Sequence, residues 1–327
     1  MQSVLIVGSV NADLPVEVDR LPAVGETISA NSSTLTPKLG GKGANQAVAI
    51  AKLAPPSSIH SIFRCQFGID SNGALLKQTL LDNAVDIGES ETIDCDSGQA
   101  IIFRLPDGSN SIVVVGGANR IWPTPVSAFE NIIKAASVVM LQQEIPLKIN
   151  EEVSKLAFRH NVPVFWDTGG RDQAIPQELF QYITLICPNE TELARLCSLP
   201  VTNEEEAIQA AWSLQKKGAN DILVTLGQKG SIHVPRTSMD DEDQVTLVPA
   251  LPVSTVCDTT GAGDTYRGAF VVHYVLGRNI KECMEYASAA AALCVRKAGA
   301  MDSIPDYKEA EGMYQDWKNT SDHTHAT

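Results

Sequence analysis

The chain has 327 residues, a length that suits one large α/β domain or a domain with an appendage. Hydrophobic residues make up 44% of it and charged residues 20%, which is typical of a globular protein with a sizeable core. The net charge of −14 argues against nucleic acid and anionic membranes as partners, because both repel an acidic surface.

Cysteine usage and hydropathy indicate the compartment. The seven cysteines are odd in number and contain no C-x-x-C pair, which favours reduced thiols over disulfides, and no residue cluster has zinc spacing. No apolar run reaches the ~18 residues of a membrane span, and the N-terminus enters a strand directly, without a visible signal peptide. We therefore expect a cytoplasmic protein without a membrane segment.

A short buried strand is predicted at residues 4–7, followed by Asn11 and Asp13. Ligands of open α/β sheets bind at the carboxyl ends of strands, so these side chains are candidate ligand contacts. Asn and Asp also cap ordinary turns, which is the simpler explanation when the two are considered alone. The following residues, 14–38, combine prolines with alternating apolar positions and predict strand-rich structure rather than a helix.

The second informative stretch is Gly40-Gly41-Lys42-Gly43, which precedes a helix of small residues that stops at Pro55. Glycines there would allow the backbone to approach a ligand closely, and Lys42 and Asn45 could bind hydroxyl groups. A plain glycine turn is the alternative.

A β-hairpin is predicted in the next part of the chain. A strand at residues 59–67 and a helix to about residue 83 come first. Two β-prone runs, 99–105 and 111–115, are then joined by a Pro-Asp-Gly-Ser-Asn turn. With residues 14–38, the hairpin predicts a small sheet outside the main fold.

From residue 137 the chain alternates between short apolar strands and helices, which predicts a mostly parallel sheet. The predicted strands are 138–141, 162–166, 184–187 and 222–225, and the predicted helices include 147–160 and 204–217. Glu144 follows one of these strands. Asn189 and Glu192 open a helix whose acidic first turn is also explained by the helix dipole alone.

The most informative stretch is Asp258-Thr259-Thr260-Gly261-Ala262-Gly263-Asp264. It lies between an apolar, β-prone run at 251–256 and a helical pattern, which predicts strand, glycine turn and helix. The first amides of a helix lack intrahelical partners and attract anions, and glycine lets them converge. A carboxylate at that point could take a proton from an attacking hydroxyl, although we expect the dipole to lower the pKa of Asp264.

A capped helix after a glycine loop explains this local pattern equally well. Two other nucleotide motifs are excluded. The dinucleotide pattern G-x-G-x-x-G needs glycine where Tyr266 stands, and a Walker A loop needs Ser or Thr where Gly43 follows Lys42.

The two glycine stretches together resemble the signatures of the ribokinase-like (PfkB) family of sugar and nucleoside kinases, and the resemblance covers residues 3–318. It implies an α/β, ribokinase-like three-layer sandwich with a mostly parallel central sheet and a small β-sheet lid. The kinase domain would span residues 1–318, with the lid at about 12–38 and 97–117. The polar residues 319–327 are expected to form a disordered tail.

The N-terminal stretch resembles the ribokinase branch of the family, which implies ATP-dependent phosphorylation of D-ribose at O5. The resemblance makes Asp264 the catalytic base and Gly261, Ala262 and Gly263 the anion hole. The implied sugar contacts are Asn11, Ala12, Asp13, Gly40, Gly41, Lys42, Gly43, Ala44, Asn45, Glu144 and Asp264. The implied nucleotide contacts are Asn189, Thr225, Leu226, Gly227, Gln228, Lys229, Gly230, Gly263, Asp264 and Ser288; Lys229 is given no catalytic role.

The resemblance also implies two metal ions and a partner. Mg²⁺ would be organised by the N-x-x-E motif, with Glu192 as the metal residue. A monovalent cation, K⁺, would be held by groups matching Asp258, Thr260, Cys294, Lys297, Gly299 and Ser303, several of them through backbone carbonyls. A homodimer formed through the lid is implied as well.

Three positions depart from the resembling family. Arg267 replaces a usual Asn and is expected to form a local salt bridge near Asp264, with a phosphate contact as the alternative. Residues 167–170 and Ser288 differ near the nucleotide side. Other substrates stay open, namely deoxyribose, a fructose-type sugar or adenosine, as does a catalytically silent sugar- or nucleotide-binding regulator.

Overall fold

The computed structural model describes residues 1–106, 109–170, 174–236 and 244–324, with side chains up to residue 319 in the last helix. The strands are β1 (Gln2–Val7), β2 (Asn11–Glu17), β3 (Lys38–Gly40), β4 (Ile59–Arg64), β5 (Gln66–Gly68), β6 (Glu91–Ile93), β7 (Gly98–Arg104), β8 (Asn110–Val115), β9 (Val138–Leu141), β10 (Val164–Asp167), β11 (Leu185–Cys187), β12 (Asp221–Thr225), β13 (Ser231–Val234) and β14 (Thr246–Val248). The helices are α1 (Lys42–Leu53), α2 (Ser71–Asp82), α3 (Glu130–Ala135), α4 (Leu147–Arg159), α5 (Glu190–Cys197), α6 (Glu204–Lys216), α7 (Ala262–Val275), α8 (Ile280–Cys294) and α9 (Tyr307–Thr324).

An eight-stranded sheet forms the centre, in the order β14-β13-β12-β11-β10-β9-β1-β4. Six neighbouring strands are parallel, namely β4, β1, β9, β10, β11 and β12. Strands β13 and β14 are antiparallel at one edge. Strands such as β9, Val-Val-Met-Leu, are buried on both faces, as a parallel sheet between helices requires. One hydrophobic cluster joins the sheet to α1, α2, α7, α8 and α9, and a second joins its other face to α3, α4, α5 and α6. The predicted three-layer α/β fold is thereby confirmed.

A separate four-stranded sheet, in the order β3-β2-β7-β8, lies outside the sandwich. The pairing of β7 with β8 is antiparallel from Gln99↔Val115 to Arg104↔Asn110, so the predicted hairpin is confirmed, while residues 107–108 of its turn lie outside the described residues. The predicted strand content of 14–38 is limited to the ends of that segment, because β2 ends at Glu17 and β3 begins at Lys38.

Two strand predictions are wrong. Residues 251–256 form no strand, because Pro252 has no N–H to donate and Val256 is 59% exposed, without a neighbouring strand; the edge strand is β14 instead. The run 59–67 is interrupted at Cys65, because β5 leaves the large sheet to pair with β6.

The last helix also differs from the sequence expectation. We expected disorder from residue 319, but the backbone of α9 continues to Thr324. Once a helix has formed, each added residue gains a backbone hydrogen bond without an apolar partner, so a polar sequence does not itself end a helix. Residues 325–327 lie outside the described residues. Within the described part, no helix is both long and apolar enough to cross a membrane.

Candidate active site

Helices α1 and α7 pack side by side, so their first turns meet at the carboxyl edge of the large sheet. A Cβ atom on Gly268 of α7 would lie 2.5 Å from Cβ of Ala49 in α1, so glycine permits this close packing. Asn45 Nδ2 therefore donates to Asp264 Oδ2 at 2.9 Å across 219 residues of sequence, and Gln46 Nε2 donates to Asp264 Oδ1 at 3.0 Å. The two glycine motifs thus form one polar site.

The turn that opens α7 depends on glycine at its N-cap. Gly261 has φ +79°, a left-handed conformation that disfavours other residues, and a Cβ there would lie 2.9 Å from Cα of Ala300. Of the three predicted anion-hole residues, Ala262 already donates its N–H to Thr259 O at 3.2 Å. The other N–H groups of the first turn are those that a helix cannot pair internally.

The electrostatics of Asp264 differ from the sequence expectation. Burial raises the pKa of Asp264, and the neighbouring charge of Asp167 raises it further, although Lys42 opposes both effects. The expectation of a lowered pKa is therefore wrong, since the loss of water on burial is the largest effect on this carboxyl group. The pKa of Asp167 is lowered despite its burial, because Arg267 and Lys42 stabilise its charge.

Lys42 lies between these two carboxylates. Its Nζ is 3.5 Å from Asp167 Oδ2 and 4.0 Å from Asp264 Oδ1. Gln46 Nε2 also donates to Asp167 Oδ2 at 2.8 Å, so both side chains bridge the same pair of acids. Asp167 thus belongs to the site, whereas the sequence analysis placed it only near the nucleotide side.

The sugar side of the site contains buried acceptors without partners in this structure. Asp13 Oδ1 and Asn45 Oδ1 are both buried and accept no hydrogen bond. Burial raises the pKa of Asp13 to about 7, with help from the charges of Glu144 and Asp264. A Cβ on Gly40 would lie 1.9 Å from Asp13 Oδ2, so a side chain at position 40 would displace this carboxylate. Such acceptors suit the hydroxyl groups of a ligand.

The remaining sugar-side residues hold this arrangement together. Glu144 Oε2 accepts from the N–H of Lys42 at 3.0 Å and from the hydroxyl of Ser9, and the buried Asn11 accepts from Asn119 Nδ2 at 2.8 Å. Ala12 is buried in β2, Gly41 adopts φ +88°, and Gly43 and Ala44 pack against Ser9. These positions support the site through backbone and packing.

The predicted nucleotide residues Asn189, Glu192 and Thr225 lie at the ends of β11 and β12. Asn189 and Glu192 form a reciprocal capping box at the start of α5, and Thr168 donates to Glu192 Oε2 at 2.9 Å. Thr225 pairs with Asn189 in an isolated bridge. The structure therefore brings these three residues together.

The other predicted nucleotide residues line the adjoining surface. Leu226 is buried, Gly227, Gln228 and Lys229 form an exposed 3-10 turn, and Gly230 closes it at φ +102°. Lys229 Nζ donates to Thr202 O at 2.7 Å. Ser288 of α8 donates to Pro249 O at 3.2 Å.

The predicted monovalent-cation residues form two adjoining groups. Asp258 accepts from Thr260 and from Gly299 N–H, and Cys294 Sγ lies 3.0 Å from Ser303 Oγ. The side chain of Lys297 points to Glu309 at 3.3 Å. Over the described ranges, no group of three or more His, Cys, Asp or Glu could hold a metal ion.

Several residues of the site were not found from the sequence. Gln46, Ser9, Thr168 and Asn119 all contact site residues. Gln46 adjoins Asn45 in the glycine motif, which was a usable signal; Asn119 is distant in sequence and gave none. A further contact joins the small sheet to the cation loop, where Arg104 Nη2 lies 3.2 Å from Asp258 Oδ2.

A cavity of about 380 Å³ lies outside this site. Its walls are formed by β3, α1, α2 and the loop after α8, and its lining includes Lys38, Lys52 and Asp302. None of the carboxylates of the sugar side lines it.

Comparison with known proteins agrees with the geometry. The family described as pfkB family carbohydrate kinase matches residues 1–307. The chain is 42% identical over 310 residues to ribokinase from Arabidopsis thaliana, covering 93% of this chain and 79% of that protein. It is 31% identical over 308 residues to deoxyribokinase from Salmonella typhimurium, covering 94% of this chain and 96% of that protein.

A solved structure of Arabidopsis thaliana ribokinase complexed with ribose and ATP has the same fold. It matches with a TM-score of 0.87 and 40% identity, covering 96% of this chain and 98% of that chain. The family and fold suggested by the two glycine motifs are therefore confirmed, and the chain belongs to the pfkB family of carbohydrate kinases.

Proposed function

We propose that this kinase transfers the γ-phosphoryl group of ATP to O5 of D-ribose. The observation that carries the proposal is Asp264, which is fixed by Asn45 and Gln46 and stands between the anion-binding turn and the unpaired acceptors of the sugar side. Likeness to the Arabidopsis ribokinase that binds ribose and ATP supports the choice of substrates.

In the proposed reaction Asp264 accepts the proton of the O5 hydroxyl. The oxygen then forms a bond to the γ-phosphorus as the bond to the β,γ-bridging oxygen breaks and ADP leaves. The raised pKa of Asp264 makes it a stronger base than an ordinary carboxylate. Lys42, whose Nζ is 4.0 Å from Asp264 Oδ1, and the first N–H groups of α7 would stabilise the charge that develops on the transferred group.

Asp13 and Asn45 are the proposed anchors of the sugar, because their buried oxygens can accept hydroxyl hydrogen bonds. Asn11, Lys42 and Glu144 complete the wall around it. The small sheet would cover the sugar as a lid and exclude water, which would otherwise receive the phosphoryl group.

Two metal ions are part of the proposal. Glu192 would organise Mg²⁺ beside the nucleotide phosphates, and a single carboxylate fits, since Mg²⁺ in such sites retains water and phosphate oxygens as ligands. When bound, Mg²⁺ supplies charge neutralisation for the phosphates. K⁺ would occupy the loop around Asp258 and Gly299, whose backbone carbonyls suit a monovalent cation.

We also propose a homodimer formed through the lid, in the cytoplasm. The supporting features are the apolar edge strand β8, whose residues 112–115 are each at least 50% exposed, and the seven cysteines, all free. Reduced thiols are usual in that compartment.

The test is ADP release from ATP with D-ribose, 2-deoxyribose, fructose and adenosine, each with and without K⁺. The proposal predicts the highest kcat/KM with D-ribose. A higher value with deoxyribose would move the assignment to the activity named for the Salmonella relative. Calorimetric sugar binding without ADP release would instead support a silent regulator.

A further inference from the structure

Arg267 is a buried arginine beneath the anion-binding turn, and no step of the proposed reaction uses it. Its side chain is 5% exposed. It lies four residues after Gly263 on α7, and long side chains on a helix point back toward the N-terminus. A Cβ on Gly263 would lie 2.7 Å from Arg267 Nη1, so the guanidinium packs directly against the turn.

The other end of the guanidinium reaches three different elements. Arg267 Nη2 donates to Cys187 O at the end of β11 at 2.8 Å, and lies 3.5 Å from Asp167 Oδ1 at the end of β10. It is also 3.9 Å from Glu192 Oε2 in the first turn of α5. The local salt bridge expected near Asp264 is therefore formed with Asp167 and Glu192, because the guanidinium extends from α7 toward the ends of β10 and β11.

Two of these contacts, Cys187 O and Glu192, lie on the side of the predicted nucleotide residues, while Asp167 also contacts Lys42 and Gln46. Glu192 belongs to the capping box with Asn189, and Asn189 adjoins Thr225. Among the described residues, none of the hydrogen bonds and ion pairs of Arg267 reaches Asn11, Asp13 or Glu144. One side chain thus joins the turn of α7 to the elements that would surround the phosphates.

We propose that Arg267 is a positioning residue that holds the ends of β10 and β11 and the first turn of α5 in place against the anion-binding turn at Gly263, with its main effect on nucleotide binding. The proposal rests on the assignment of that side to ATP. A planar guanidinium can contact a carbonyl and two carboxylates in one plane, whereas an ammonium group is a point charge. We call the ends of β10 and β11 and the first turn of α5 the nucleotide frame. A shift of about 1 Å in residues that position a substrate can lower the rate about 100-fold.

The test compares Arg267→Met and Arg267→Lys with wild type and with Arg64→Met. Arg64 is a matched control, because its side chain is equally buried and is paired with Glu91 at 3.2 Å. It lies at the end of β4, outside the nucleotide frame. The measurements are Tm, calorimetric affinity for Mg·ADP without sugar, and KM for ATP and for ribose. Binding of Mg·ADP reports on Arg267 even where ribose proves not to be the substrate.

We expect Arg267→Met to weaken Mg·ADP binding and raise KM for ATP by about 10-fold or more, with KM for ribose within about twofold. Arg267→Lys should recover part of the nucleotide affinity. Arg64→Met should lower Tm and leave nucleotide affinity unchanged. The proposal is overturned if Arg267→Met lowers Tm as Arg64→Met does but binds Mg·ADP normally, or if KM for ribose and ATP rise equally. If Arg267→Met does not fold, the test rests on Arg267→Lys. The proposal is then contradicted if Arg267→Lys binds Mg·ADP as tightly as wild type does.

Discussion

At the residue scale, Asp13 combines a binding role with a cost to folding. Its pKa rises from an ordinary 3.8 to about 7 because the carboxylate is buried near two other acids. Between these values the folded state holds a proton that the unfolded state has released, so stability falls as pH rises through this window. The full pKa shift of Asp13 corresponds to a loss of about 4 kcal/mol at most in the free energy of unfolding.

The substitution Asp13→Asn should therefore stabilise the ligand-free protein. The gain should grow from about pH 4 to pH 7 and then level off. Above about pH 7, where Asp13 is charged, ribose affinity should fall by about 10-fold or more because a charged acceptor of hydroxyl groups is lost. Thermal unfolding across pH and calorimetry with ribose measure the two effects.

Asp70→Asn serves as the control with the opposite sign. Asp70 accepts hydrogen bonds from Gly73 and Ser97, which hold its pKa below the ordinary value. Its charge stabilises the fold above about pH 4, so this variant should lose stability there. A pH-independent effect of Asp13→Asn would contradict the account of Asp13.

The residues that meet in this site could be predicted from the sequence, but their charges could not. Asp264, Lys42 and Asn45 stand in local motifs, and the structure brings them together. The raised pKa of Asp264 depends on burial and on Asp167, which is close only in the fold. The partners of Arg267 likewise come from β10, β11 and α5, and no local pattern reveals them.

At the element scale, the first turn of α7 requires glycine for two separable reasons. Gly261 and Gly277 flank the same helix with φ +79° and +77°, but only Gly261 has backbone atoms within 3 Å of a built Cβ. Gly277→Ala should therefore lower the free energy of unfolding by about 1 kcal/mol, because only the left-handed conformation of residue 277 opposes a side chain there.

Gly261→Ala should cost more stability than Gly277→Ala and should also reduce kcat by about 10-fold or more, because the turn must move away from Ala300. Chemical denaturation and steady-state kinetics on both variants check this. Equal losses of stability with unchanged kcat would show that the turn does not shape the site.

Helices and strands were predicted correctly where the local sequence pattern matched the pairing available in the fold. The hairpin of β7 and β8 was identified by its turn residues and alternation, and the parallel strands by their short apolar runs. Residues 251–256 have the composition of a strand but lack a neighbour to pair with, and Pro252 was a local signal against pairing. No local rule detects that β5 changes sheet after Cys65.

At the scale of the whole molecule, the edge strand β8 is where we expect a second copy to bind. Ile112 and Val114 pair opposite Ile102 and Ala100, which are buried, yet the β8 residues are 54% and 50% exposed. An exposed apolar edge is a site of strand pairing between chains.

The substitution Ile112→Lys should therefore give a monomer at concentrations at which wild type is a dimer, as measured by light scattering. Leu247→Lys is the control, because Leu247 is 45% exposed on β14, an edge strand of the large sheet rather than of the small one. A wild-type monomer, or a dimer unaffected by Ile112→Lys, would contradict the lid interface.

The overall architecture was largely predictable because both signatures are local and the alternation of strands and helices is regular. The meeting of α1 with α7 across 219 residues was inferred from resemblance rather than from physics. What creates it is the packing of Gly268 against Ala49, a pair of small residues that carries no signal by itself.

Asp264→Asn tests the central claim most directly, because Asp264 joins the two ends of the chain in one reacting centre. Ribose affinity is measured by calorimetry and turnover by ADP release on the same folded sample. We predict ribose binding within a few-fold of wild type and a fall in kcat of about 10²- to 10⁴-fold, the usual contribution of a general base. A variant that binds ribose and turns over at the wild-type rate would contradict the assignment of Asp264 as the base.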